Sequence, residues 1–282
     1  MIKSYKSFIN ERIGVPNIDH IVETIYDIII EGLEYNDYNV GLYDFTDELK
    51  KRTSDPSFII LSNIKKFEID YRGDDEDDDT IQGYVTTNDI YLDISEYNLS
   101  HDLKPSISHE ITHIYEEFYT KKRSKENRLN VLPKINVSDD SSDWDDFIHL
   151  VYLHLTYEIN ARVTQLYYEI RNENIRTKED FIGAVKSSPS WEVVHQLKDF
   201  NALEFYENFD DEEIKELISK WNDSIDQANT LEELEGIDEL KKVPKRALDE
   251  PMNFLKYFER QFHERWNKFE RKVMKLSYHF NI

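Results

Sequence analysis

Apolar residues recur three and four apart from Ile18 through Ile21, Val22, Ile25, Ile28 and Ile29. That spacing puts them on one face of an α-helix running to about residue 34, with Asn17 or Asp19 available as its cap. A short helix over residues 44–51 is expected next. Residues 58–60 form an apolar run, and residues 66–71 alternate, with Phe67, Ile69 and Tyr71 on one side. Both segments predict β-strands. Two further strands are predicted over 81–86 and 90–94, flanking the turn Thr87-Asn88-Asp89. Between them and the earlier strands stands Asp74-Asp75-Glu76-Asp77-Asp78-Asp79. Such an acidic run cannot pack, and it lacks the glycine and distal glutamate of an EF-hand loop, so it predicts a solvated hairpin loop.

Helical periodicity then takes over. Ser100 or Asp102 can cap a helix that tolerates Pro105 in its first turn and ends near Lys121-Lys122-Arg123, where cations suit the negative end of the helix dipole. Residues 123–143 are polar and contain Pro133, which predicts a long loop, either a lid or a connector. A single helix is expected over 144–170, and others over 178–186, 190–200, 211–222, 231–242 and 251–278. The last carries Phe254, Leu255, Phe258, Phe262, Trp266, Phe269, Val273 and Leu276 at helical spacing, a pattern of core packing. The expected fold class is α+β: a small mixed or antiparallel sheet followed by a predominantly helical C-terminal half. The expected division is a terminal peptide over 1–11, an α+β part over 12–122, the loop over 123–143 and a helical part over 144–282.

Composition narrows the partners. A formal charge of −23 repels phosphates, and no basic patch offsets it, so neither nucleic acid nor an anionic membrane is an expected partner. There is no cysteine, which rules out disulfides and thiolate metal sites and leaves His, Asp and Glu as ligands. No stretch of about 18 apolar residues occurs and the N-terminus lacks a secretory h-region, so the expected location is a cytoplasm.

The chemistry concentrates in Ser108-His109-Glu110-Ile111-Thr112-His113-Ile114. On a helix, His109 and His113 lie one turn apart on one face and can offer two imidazole nitrogens to one metal ion, with Glu110 beside it as general base. With nine histidines in the chain, chance would produce this pattern roughly 0.03 times per chain. The alternative is two helix histidines beside a surface glutamate. The segment resembles the signature of the zincin metallopeptidases, whose motif wants uncharged neighbours and a hydrophobic residue just after; Ile107, Ile111, Thr112 and Ile114 meet the first requirement and Tyr115 fills the last place. The resemblance implies a zinc-dependent hydrolase of peptide bonds, with a protein or peptide substrate and an edge strand that pairs with extended substrate.

A third ligand is needed. Tyr157-Glu158-Ile159-Asn160-Ala161-Arg162 resembles the second-helix motif of the gluzincin branch, Glu-x-x-Ala, which implies Glu158 as the third zinc ligand and Ala161 as the small residue that lets the helices approach. The interval from His113 is longer than in the best-known members, and the 123–143 loop accounts for much of the excess. His154, four residues earlier on the same predicted helix, is the competing ligand. An ordinary i, i+4 ion pair with Arg162 is the competing role for Glu158. For the oxyanion, His195, Tyr206 and His263 are the candidates, and nothing in the sequence ranks them.

The opening residues 1–11, Met1-Ile2-Lys3-Ser4-Tyr5-Lys6-Ser7-Phe8-Ile9-Asn10-Glu11, are basic in an acidic chain. They resemble head-targeting peptides on internal proteins of large tailed phages, where cleavage follows a Leu/Ile-x-Glu triplet such as Ile9-Asn10-Glu11. The other reading is an amphipathic first helix with Tyr5, Phe8 and Ile9 on one face. The first expectation for function is therefore a zinc metallopeptidase, phage-encoded and packaged in a virion with head components as partners. The alternative is an internal virion protein that keeps a zincin-like scaffold without peptidase activity; a toxin-like effector is a third.

Overall fold

The computed structural model describes residues 18–73, 82–85, 88–96, 99, 103–120, 142–209, 211–230 and 243–282. The terminal peptide, the acidic run, most of the 123–143 segment and the helix expected over 231–242 lie outside them.

The first helix, α1 (Asp19–Tyr35), buries Ile21, Val22, Ile25, Ile28, Ile29 and Leu33, the stripe its periodicity predicts. Ile18 rather than Asn17 or Asp19 stands at its N-cap position, without a side-chain cap. Next come β1 (Gly41–Asp44) and α2 (Thr46–Arg52). The strand expected over 58–60 is instead part of a 3-10 helix, Pro56–Leu61. Asp55 accepts a hydrogen bond from the Ser57 amide and Pro56 occupies the first turn, so the helix-start signal outweighs three apolar residues in a row.

The sheet has four strands. β2 (Lys66–Gly73) and β4 (Asp89–Ser95) run parallel at its centre; β1 pairs antiparallel with β2, and β3 (Gln82–Val85) antiparallel with β4. The order is β1-β2-β4-β3, which leaves β3 at one edge. Phe67, Ile69 and Tyr71 of β2 and Ile90, Leu92 and Ile94 of β4 point to one buried face, as the alternation requires. Gly73 ends β2 with φ of +70° where the register slips, a conformation that favours glycine.

Against that face pack α1 and α3 (Leu103–Thr120), which also meets β3. The single helix expected over 144–170 is two: α4 (Ser142–Leu153) and α5 (Thr156–Ile170). At the break Leu155 turns extended (φ −64°, ψ 143°), and its amide bonds the Tyr152 carbonyl at 3.1 Å, closing α4. There follow α6 (Lys178–Lys186), α7 (Pro189–Asp199), α8 (Ala202–Glu207), α9 (Asp211–Thr230), α10 (Lys245–Leu248) and α11 (Pro251–Met274), with a closing 3-10 helix, Lys275–Phe280. The class is α+β and mostly helical.

Buried side chains form two clusters. One joins α1, the sheet and α3; the other is built on α4 to α11 around Phe147, Trp221, Phe254, Phe258 and Phe262. Helix α5 supplies both, with Tyr168 facing the first cluster and Leu166 the second. α3 and α5 pack along each other at that seam.

Candidate metal centre

Helix α3 has a core-facing stripe of Ile107, Ile111 and Ile114 that fixes its rotation against the sheet. Its buried hydroxyls are satisfied within the helix: Ser108 Oγ donates to the Pro105 carbonyl at 2.6 Å and Thr112 Oγ1 to the Ser108 carbonyl at 2.7 Å. With that rotation set, His109 and His113 turn to α5, 6% and 5% exposed. Glu158, in the first turn of α5, meets them and is 0% exposed.

The three side chains converge. His109 Nε2 lies 3.1 Å from His113 Nε2 and 3.4 Å from Glu158 Oε1, and His113 Nε2 lies 3.5 Å from Glu158 Oε2. Two donors held about 2.05 Å from one tetrahedral ion stand about 3.3 Å apart, so the His109–His113 and His113–Glu158 Oε2 spacings fit such an ion. His109, His113 and Glu158 are a buried group able to hold a metal ion. Without an ion one imidazole must donate to the other; with one, both nitrogens turn their lone pairs to it. Nδ1 of His109 is buried and has no hydrogen-bond partner among the described residues, so the outer support usual for a ligating imidazole is not supplied there by those residues.

The charge balance favours an ionised Glu158. Burial pushes its pKa up, but the adjacent His109 imidazole and Arg162 guanidinium outweigh that and hold the carboxyl well below its usual range. Arg162 Nε donates to Glu158 Oε1 at 2.9 Å, so the i, i+4 ion pair considered as the competing role exists alongside the histidine contacts, on the same carboxylate. Tyr152 sits beside the group as well. Burial first, and then the facing Glu158 and Glu110 carboxylates, push its hydroxyl well above its ordinary pKa. The Tyr157 ring stacks edge-on against His113 with centroids 5.3 Å apart. Glu110 is at the rim, 15% exposed, its Oε1 4.0 Å from His109 Nε2.

The competing ligand, His154, belongs elsewhere. The break after α4 removes it from the Glu158 face; its Nδ1 donates to the Val151 carbonyl and its ring packs between Phe258 and Phe262, with centroids 6.0 and 5.5 Å away. The oxyanion candidates also point to other partners. His195 Nδ1 is 2.7 Å from Asp199 Oδ2 and the ring lies on Trp266, while Tyr206 donates to Asp211. His263 is exposed on α11. Tyr152 and Tyr157 were not predicted at the site. Tyr157 precedes Glu158 directly, so its proximity was readable; Tyr152 reaches the site only because the chain breaks at Leu155.

Among the described residues no helix is long and apolar enough to cross a membrane. No family model, curated protein or solved structure matches the chain.

Proposed function

We propose that this protein is a zinc-dependent metallopeptidase of the gluzincin type. The observation that carries the reading is the convergence of His109, His113 and Glu158 from two helices into one buried group, with Glu110 at its open side. An all-nitrogen and oxygen donor set with three protein ligands suits a catalytic zinc that keeps a fourth position for water. The protein's architecture supports the reading too: a mixed sheet ends in β3, antiparallel to its neighbour and packed beside α3, which is the arrangement in which an extended peptide adds to a sheet edge.

Zinc bound there would lower the pKa of its water and polarise a carbonyl. The chain's own groups supply the rest. Glu110 is close enough to the histidines to take the proton of the attacking water and exposed enough to pass it to the leaving nitrogen. Water adds to the carbonyl carbon, the C–N bond breaks, and the proton held on Glu110 ends on the amine. His109, His113 and Glu158 are ligands and take no part in proton transfer. The reading extends, on the strength of residues 1–11 alone, to a phage enzyme carried in a virion.

Glu110→Gln tests the assignment. The amide keeps the size of the side chain and cannot act as a base, so zinc content should be unchanged while hydrolysis of a casein or peptide-library substrate falls by about 10²–10⁴-fold. Unchanged hydrolysis in the variant contradicts the peptidase reading, and equal inactivity of both proteins with zinc bound supports the scaffold alternative.

A further inference from the structure

Glu158 is the one acidic side chain among the described residues that is wholly buried, and its two oxygens differ. Oε1 accepts the 2.9 Å charge-assisted hydrogen bond from Arg162 Nε and also lies 3.4 Å from His109 Nε2. Oε2 has no hydrogen bond among the described residues and lies 3.5 Å from His113 Nε2. Arg162 is itself braced, since its Nη1 donates to Gln165 Oε1 at 3.1 Å on the next turn, with its side chain 20% exposed.

An i, i+4 pair on a solvated helix contributes little and constrains nothing. This pair is different, because a wholly buried carboxylate has no water to fall back on and an unpaired charge there is strongly unfavourable. One oxygen fixed by a directional guanidinium bond also leaves the other as the free donor. We propose that Arg162 is a positioning residue: it holds Oε1 of Glu158, so that the carboxylate would offer a metal Oε2 and keeps its place without one. The inference rests on the metal-site reading above. It needs the guanidinium in particular, since a lysine ammonium at the same position is a flexible point charge without the fork that fixes one oxygen.

The test compares wild type with Arg162→Gln and Arg162→Lys, using Co²⁺ alone as the probe in chelator-stripped protein. In wild type the visible bands should have the high intensity of four-coordinate Co²⁺. In Arg162→Gln the freed Oε1 should join the metal, so the bands weaken towards those of a five-coordinate centre. Co²⁺ affinity by chelator competition should fall about 10–100-fold, the range for losing an outer-shell partner, and by linkage the Co²⁺-induced rise in Tm should be smaller than in wild type. Arg162→Lys should fall between the two. Wild-type spectrum and affinity in Arg162→Gln overturn the proposal. Should metal-free Arg162→Gln fail to fold, that is the loss of the brace in its extreme form, and Arg162→Lys then carries the spectral comparison. If wild type takes up no Co²⁺, the metal reading fails separately. The holding role is then decided in metal-free protein: Glu158→Gln/Arg162→Gln should regain the stability lost in Arg162→Gln, and a double variant no more stable than the single one overturns it.

Discussion

At the residue scale, Glu158 links burial, charge and pH. Its folded pKa is depressed by the neighbouring His109 and Arg162 despite the opposing effect of burial, whereas in the unfolded chain it titrates near 4.5. A depressed carboxyl contributes stability that is present in full above the unfolded value and lost as pH falls through the folded one. In metal-free protein, wild type should therefore be more stable than Glu158→Gln at about pH 6, with the gap closing as the pH falls below the unfolded value of 4.5. Denaturant unfolding of both proteins across that range measures it, and a gap independent of pH would mean that Glu158 is not held ionised. The histidine pair and Glu110 were legible in the sequence because i, i+4 geometry is local. Glu158 was legible through its Glu-x-x-Ala context. What could not be read was that its ion pair with Arg162 and its approach to the histidines occur together, since the sequence presented them as rivals.

At the element scale, the site depends on how closely α5 approaches α3. Ala161 is wholly buried one turn after Glu158 on the same side of α5. Ala161→Leu should overpack that seam, costing about 1–3 kcal/mol of stability, and should weaken metal binding by displacing Glu158 from the histidines. Urea unfolding and chelator competition measure the two effects; a stable variant with wild-type affinity would show that the small residue is incidental. Long amphipathic elements such as α1 and α11 were legible because each buries one continuous stripe. Three features were not. β1 is four residues long with Leu42 exposed, so no apolar alternation marked it. The 3-10 helix at Pro56 overrode an apolar run. The break between α4 and α5 has no proline or glycine to announce it and is imposed by packing, with Leu155 buried in the second cluster. That break removed His154 from contention, so the ligand assignment depended on a feature set by tertiary structure.

At the scale of the whole molecule, two buried clusters meet along α3 and α5, and the candidate metal group of His109, His113 and Glu158 lies where those two helices pack. The chain carries 58 acidic and 35 basic side chains, a net charge of −23 that strains the compact state through self-repulsion. Tm should consequently rise as salt is raised from about 0.01 M to about 0.15 M, where the screening length shrinks from about 30 Å to about 8 Å. Thermal melts over that range check it, and a Tm that falls with salt would mean that local ion pairs such as Arg171 with Asp19 and Glu23 outweigh the repulsion. The same packing buries His109, His113 and Glu158 while Glu110 stays at the rim of the group.

The central claim is that His109, His113 and Glu158 hold one zinc ion. Elemental analysis of protein purified without chelator, for wild type and Glu158→Gln side by side, tests it most directly. The account predicts one zinc per wild-type chain and a marked loss in the variant. A wild-type protein that holds no zinc, even after reconstitution, or a variant that holds it equally well, would contradict it.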